Sequence, residues 1–125
     1  MGESVIAQAL KSRLADGVRD GDGKYRCRIS FDRGFCGFDG HFEGNPIVPG
    51  VCIIEAVRCA AEQALEKRLT MKALSQCRFR APLLPGDRAD IALVIREKDG
   101  VQSVSGDISN ENGIICRLRM ELAAL

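Results

Sequence analysis

The clearest pattern in the chain is the alternation of apolar and polar side chains at residues 24–32. Successive side chains of an extended strand point to opposite faces, so a period of two predicts a β-strand. The same alternation recurs at residues 90–98 and 101–109 and in the C-terminal segment, and residues 70–80, which end before Pro82, are predicted as a further strand. The dipeptides Asp99-Gly100 and Asn112-Gly113 favour tight hairpin turns between such segments. The pattern predicts about five strands, mostly antiparallel.

A helical pattern covers residues 49–69. Pro49 suits the first helical position, where its missing N–H costs nothing. Apolar side chains recur at the spacing of one helix face, at Val51, Ile54, Val57, Ala61, Ala64 and Leu65. The opposite face is expected to meet water through Arg58, Glu62, Gln63, Glu66 and Lys67. A shorter helix is predicted at residues 4–15, followed by a loop at residues 17–23.

These elements predict an α+β fold with one long central helix. A single helix cannot cover both faces of a sheet, so we expect an antiparallel sheet of about five strands that curls around it. The chain is expected to form a single domain over residues 1–125, with an N-terminal helix and loop at residues 1–23 and the central helix at residues 49–69. Such a sheet leaves an open edge strand, which dimerisation by edge pairing would cover.

Composition excludes several classes of function. The 18 Lys and Arg residues nearly balance the 17 Asp and Glu residues, so a basic nucleic-acid-binding module is not expected. No apolar run approaches a membrane span, and the N-terminus lacks the pattern of a signal peptide, so we expect a cytoplasmic protein without a membrane partner. Six cysteines and one histidine occur without a Cys-x-x-Cys motif, which favours reduced thiols over a zinc site.

The segment at residues 33–50 has the composition of a functional loop. Its glycines and prolines forbid a regular element, yet it carries several apolar side chains, and long loops of this kind are usually functional. It contains His41, the only histidine, and leads into a helix N-terminus at Gly50 and Val51, where unpaired N–H groups attract negative charge. Glu55 follows one turn inside that helix. A base, an acid and an anion site therefore lie within 15 residues.

Two motifs resemble those of the β-hydroxyacyl-acyl-carrier-protein dehydratases, a family with the hotdog fold. The first motif consists of Gly40-His41-Phe42, Gly44, Pro46 and Pro49-Gly50-Val51, with Glu55 fourteen residues after His41. The second motif is Phe79-Arg80-Ala81-Pro82-Leu83-Leu84-Pro85-Gly86-Asp87. The resemblance runs from about Lys24 to Leu122 and implies a hotdog domain.

The resemblance also implies roles for individual residues. His41 corresponds to the base that removes the α-proton of a 3-hydroxyacyl thioester, and Glu55 to the acid that protonates or positions the leaving hydroxyl. The Gly50 N–H corresponds to the donor for the thioester oxygen, with Val51 and Phe42 as further substrate-binding residues. To donate a proton, Glu55 must be protonated, which apolar surroundings would favour.

The same resemblance implies partners. The substrate would be carried by acyl-carrier protein or coenzyme A in fatty-acid or related polyene or polyketide synthesis. No metal or organic cofactor is needed. The family's site combines its histidine and acid from different subunits, which implies a homodimer or a higher oligomer of dimers.

This chain departs from the family in three places, two at single positions and one in its short N-terminal region, and two other functions stay open. Glu43 stands where the family usually has proline, and Cys59 where it commonly has glutamine. One alternative is an acyl thioesterase on the same fold, which would use the acid to activate water. The other is a non-catalytic acyl-carrier-binding subunit that pairs with an active partner. The short N-terminal region is similar to that of the compact dehydratases of specialised acyl or polyene pathways.

Overall fold

The computed structural model of the chain describes residues 3–38 and 47–125. Two helices and six strands occur in these ranges, together with a short 3₁₀ turn at Cys36–Phe38. In chain order they are α1 (Val5–Arg13), β1 (Leu14–Arg19), β2 (Lys24–Ser30), α2 (Gly50–Leu65), β3 (Leu69–Phe79), β4 (Arg88–Lys98), β5 (Val101–Asn110) and β6 (Gly113–Ala124). The predicted α+β class is confirmed.

The strands form one antiparallel sheet in the order β1-β2-β4-β5-β6-β3. The predicted hairpin between β4 and β5 is present, with Asp99 and Gly100 both at positive φ, as a tight turn of this kind requires. The next hairpin pairs Asn110 with Gly113, so its two-residue loop lies one position before the predicted Asn112-Gly113 turn. The strand β3 stands at one end of the sheet, although the chain enters it directly from the central helix.

The sheet has one strand more than predicted. β1 lies in a stretch that the sequence pattern assigned to the end of the first helix and to a loop. Most of its side chains are exposed, and a bulge between Ala15 and Val18 interrupts its pairing with β2. Asp16 has a positive φ within that bulge. The strand therefore shows no alternation of apolar and polar residues, which is the signal that predicts β2, β4, β5 and β6.

The central helix is shorter than predicted. α2 begins at Gly50, with Pro49 as its N-cap, and ends at Leu65 because Glu66 adopts the left-handed conformation. Leu69, assigned by the sequence pattern to the helix, is the first residue of β3.

The core lies between α2 and the inner face of the sheet. Alternate side chains of the long strands are buried there, including Ile91, Leu93, Val104, Ile108, Leu118, Met120 and Leu122. Gly106 lets the helix approach closely, since a Cβ atom at this position would lie 3.2 Å from Val57 Cγ1. α1 packs along α2 and buries Ala7 and Leu10.

Three positions of α2 differ from the predicted inner and outer faces: Val51, Glu62 and Arg58, whose side chain is 14% exposed although it is predicted to meet water. Val51, predicted to face inward, is 72% exposed because it lies in the first turn, at the end of the helix. Glu62, predicted to meet water, is 3% exposed and forms ion pairs with Lys11 of α1 and Arg58. Packing of α1 against this side of α2 therefore replaces water with charged partners.

Four of the six cysteines are buried, and all six are free thiols. Within the described ranges, neither helix has the length and apolar character needed to cross a membrane.

Candidate functional site

The first turn of α2 forms the centre of the candidate site. Pro49 has an extended backbone, and its carbonyl accepts hydrogen bonds from the N–H groups of Cys52 at 2.9 Å and Ile53 at 3.3 Å. The N–H groups that precede them have no carbonyl one turn earlier in the helix. No acidic residue stands in this first turn, so the positive end of the helix dipole is not neutralised by its own side chains. A ligand oxygen would find favourable electrostatics at Gly50.

Gly50 is also the point where the two sequence motifs meet. The Phe79 ring lies over Gly50, and a Cβ atom at residue 50 would stand only 2.9 Å from Phe79 Cζ. The Val48 N–H donates to the Leu83 carbonyl at 2.8 Å, which ties the chain entering α2 to the segment after β3. The fold therefore joins the end of the first motif to the second motif.

The turn within the second motif is the one that its residues predict. The Asp87 N–H donates to the Leu84 carbonyl at 3.0 Å, and the Leu84 N–H donates to the Asp87 carboxylate at 2.8 Å. Gly86 has φ +93°, which suits the third position of a turn with Pro85 before it. This turn is fixed to the end of β2 by the Phe31 N–H, which donates to the Asp87 carbonyl at 2.9 Å.

An open groove of about 530 Å³ begins at the N-terminal end of α2. It is lined mainly by apolar and thiol side chains, with the Glu55 carboxylate as its charged member. The lining residues are Ile6, Cys36, Gly37, Pro49, Val51, Cys52, Ile54, Glu55 and Met71. Because Met71 belongs to the edge strand β3, the groove reaches the open side of the sheet. An apolar chain with one polar group near the helix would match this lining.

Glu55 is paired with Arg58, one turn further along α2. Arg58 Nε lies 2.5 Å from Glu55 Oε1, and Arg58 Nη2 lies 3.1 Å from Glu55 Oε2, so the pair is bidentate. Hydrogen bonds from the guanidinium to the Glu55 carboxylate raise the pKa of Arg58 above its ordinary value. This pairing differs from the purely apolar surroundings that the sequence analysis expects for a protonated acid.

Two cysteines of this region, Cys52 and Cys59, are not poised as nucleophiles. Burial raises the pKa of Cys52, which lines the groove, and raises that of Cys59 to about 12. Both thiols therefore stay protonated near neutral pH, whereas nucleophilic cysteines act as thiolates.

The structure brings three of the five predicted site residues together. Gly50, Val51 and Glu55 lie in the first two turns of α2, and the latter two line the groove. His41 and Phe42 lie outside the described residues.

Sequence reasoning placed Arg58 on a solvated helix face and did not connect it with the site. Its position three residues after Glu55 is the signal that would have found it, because residues at this spacing are neighbours on a helix. Ile6 and Met71 come from distant parts of the chain, and only the fold shows that they line the groove.

Known structures share this architecture. A chain of the dehydratase heterocomplex ApeI:P from Xenorhabdus doucetiae superposes with a TM-score of 0.73 at 20% identity, over 88% of this chain and 96% of that one. The putative thioesterase yhdA from Lactococcus lactis gives a TM-score of 0.73 at 12% identity, over 98% of both chains. At these identities the likeness shows the fold alone, which is the hotdog fold.

Sequence similarity adds the family. The sequence model of the ApeI-like family, described as ApeI dehydratase, matches residues 18–116. The 3-hydroxyacyl-(acyl-carrier-protein) dehydratase FabZ of Haemophilus influenzae is 35% identical over 95 aligned positions, and the match covers 69% of this chain. The chain spans 64% of the length of that relative. This chain belongs to the ApeI-like dehydratase family.

Proposed function

We propose that the protein is a dehydratase that converts 3-hydroxyacyl thioesters to trans-2-enoyl thioesters. The observation that carries the proposal is the apolar groove that starts at the N-terminus of α2 and has Glu55 on its wall. A thioester oxygen at the helix N-terminus, an acyl chain along the groove and a hydroxyl near Glu55 would use all three features. Membership of a dehydratase family supports the same reaction.

In the proposed reaction, His41 removes the proton next to the thioester carbonyl. Negative charge then develops on the thioester oxygen, where the Gly50 N–H is the proposed donor. A fixed donor of this kind contributes about 10²–10³ to the rate, and a positioned general base about 10²–10⁴. Glu55 positions the 3-hydroxyl group, which takes up the proton that His41 removed, directly or through the Glu55 carboxyl, as the C–O bond breaks and water leaves. Val51 and Phe42 are the proposed contacts to the substrate.

We further propose that the active form is a homodimer in which β3 pairs with its counterpart. β3 ends the sheet, and within the described residues only β6 pairs with it. Most of its side chains are exposed, including the apolar side chains of Met71, Leu74 and Phe79. A partner at this edge would cover them and close the side of the groove at Met71, and would supply its His41 opposite Glu55. Dimers of such dimers are the proposed larger assembly.

The proposed cellular context follows from the family. We expect a cytoplasmic enzyme whose substrate is attached to acyl-carrier protein, the carrier named for the FabZ relatives, or to coenzyme A. The pathway would be fatty-acid synthesis or a related polyene or polyketide synthesis.

A thioesterase is the second candidate, since Glu55 lines the groove and a glutamate there would act as the base that activates water for thioester hydrolysis. The putative thioesterase yhdA shares the fold. A pairing subunit is the third arrangement, since the Xenorhabdus structure is described as a heterocomplex.

One assay separates these functions. The purified protein is incubated with a 3-hydroxyacyl thioester of acyl-carrier protein, and separately of coenzyme A, while enoyl absorbance and free thiol are both followed. The proposal expects enoyl product without thiol release, with strong loss in His41→Ala and Glu55→Gln and none in the matched control Glu66→Gln. Glu66 is exposed at the far end of α2. Thiol release would indicate a thioesterase, and equal background rates in all variants would indicate a pairing subunit.

A further inference from the structure

Arg58 connects the proposed site with a buried charge cluster. Its guanidinium contacts both Glu55 oxygens through Nε and Nη2, at 2.5 Å and 3.1 Å. The two side chains are 14% and 29% exposed, so the pair is largely shielded from water. Two N–H···O bonds from one planar guanidinium to the two carboxylate oxygens, a bidentate contact, fix the orientation of the carboxylate as well as its distance.

The guanidinium is itself held from the side away from Glu55. Its Nη1 donates to the Leu69 carbonyl at 2.9 Å and lies 2.9 Å from Glu62 Oε2. Glu62 is fixed in turn by the Leu69 N–H at 2.7 Å and by Lys11 Nζ at 2.7 Å. Arg58 is thus anchored to α2, to the start of β3 and, through Glu62, to α1. Because these contacts fix the position of the guanidinium, Arg58 can hold the Glu55 carboxylate in place.

The other side of Glu55 faces the groove, where Val51 and Met71 are among its neighbours in the lining. Each carboxylate oxygen has a second lone pair besides the one that Arg58 uses. The bidentate contact with Arg58 therefore restricts the orientation of the Glu55 carboxylate and still leaves it able to contact a ligand.

We propose that Arg58 is a positioning residue that holds the Glu55 carboxylate in the orientation needed at the substrate hydroxyl. This inference rests on the proposed dehydration. Arg58 touches no reacting atom and acts only through Glu55. The hydrogen bonds to Glu55 raise the pKa of Arg58, and a guanidinium is protonated at any working pH.

The test is a double-mutant cycle on turnover. Arg58→Lys keeps the positive charge and most of the side chain but cannot form the bidentate contact with Glu55. Misplacement of a reacting group by about 1 Å can cost about 10²-fold in rate, so we expect kcat to fall about 10-fold with KM changed less than about 2-fold. In the Glu55→Gln background, Arg58→Lys should lower kcat by less than about 2-fold, because the group it positions is already altered.

Arg28→Lys is the matched control, since Arg28 pairs with Asp90 at 3.0 Å on the exposed face of the sheet. Thermal unfolding of each variant verifies that it is folded at the assay temperature. An equal fall in kcat from Arg58→Lys in both backgrounds would overturn the positioning role while the dehydration stands, and so would full activity of Arg58→Lys. Absence of enoyl product from the unaltered protein would overturn the proposed function and the positioning role together.

Discussion

The two halves of α2 each carry one glutamate, and the same guanidinium contacts both. Glu62, in the second half, is 3% exposed and is surrounded by Lys11, Arg58 and the Leu69 N–H. Glu55, in the first half, has Arg58 as its one ion-pair partner within the described residues, and it lines an open groove. The two carboxylates are identical chemically and lie two turns apart on one helix, yet their surroundings differ.

This difference in surroundings implies different roles for the two carboxylates, a structural role for Glu62 and a functional role for Glu55. A buried carboxylate with several partners has no capacity left for a ligand, and removing it leaves other charges buried without compensation. A carboxylate with a single fixed partner and an open side keeps that capacity. Activity is therefore expected to depend on Glu55 and stability on Glu62.

The largest expected effect is on turnover in Glu55→Gln. The amide keeps the size of the side chain but loses the charge, and loss of a positioned acid or base costs about 10²–10⁴ in rate. We expect kcat for enoyl formation to fall by that factor, while the melting temperature changes by less than about 3 °C because the pair is not fully buried. Glu55→Gln with unchanged kcat would remove Glu55 from the mechanism and end the contrast with Glu62.

The second effect is on stability in Glu62→Gln. Removing one member of a buried ion cluster costs about 3–5 kcal/mol, and we expect about 3 kcal/mol because Lys11 is partly exposed and Arg58 keeps Glu55. The melting temperature should fall by roughly 10 °C. Chemical denaturation gives the free energy of unfolding, and the same substitution at exposed Glu111 is the control. A change below about 1 kcal/mol would show that this cluster does not stabilise the fold.

A smaller effect is the acid dependence of stability. Burial alone would raise the pKa of Glu62, but the Lys11 ammonium, the Leu69 N–H and the Arg58 charge outweigh it and lower the pKa below its ordinary 4.5. Because the folded state binds this proton less readily than the unfolded state, Glu62 stabilises the protein above about pH 4.5 and less as the pH falls further.

Unfolding free energies measured between pH 7 and pH 3 should therefore decline on the acid side, and less steeply in Glu62→Gln. Asp32, whose pKa is lowered by the Arg13 hydrogen bond, also contributes to the decline, so Asp32→Asn serves as the reference variant. Identical acid slopes for Glu62→Gln and the unaltered protein would contradict the assignment.

The contrast between the two glutamates was only half visible in the sequence. The motif around Gly50 predicted the helix N-terminus and the position of Glu55 one turn inside the helix, because both lie within one continuous segment. Glu62 was placed on a wet face, since the helical pattern of α2 does not show that α1 packs there. The burial of Glu62 depends on packing against α1, which is distant from it in the sequence.

The strands show the same limit. Alternation located the strands that have one face against the core, such as β4, because burial imposes the period. β1 is exposed on both faces and interrupted by a bulge, so burial left no period in its sequence.

The smallest expected effect concerns Gly50, at the functional end of α2. Gly50→Ala retains the backbone N–H, and alanine favours a helix over glycine by about 1 kcal/mol. The new Cβ atom must displace the Phe79 ring, which is half-exposed and can move, so the melting temperature should change by less than about 5 °C.

The displaced ring should lower kcat/KM for the 3-hydroxyacyl thioester by about 10-fold, the cost of a modest misplacement at a site. If the clash is the cause, Gly50→Ala should have less than about a 2-fold effect in a Phe79→Leu background, where the ring is absent. An equal loss in both backgrounds would mean that the added methyl group itself obstructs the substrate at residue 50, and the contact between the two motifs would then carry no part of the function.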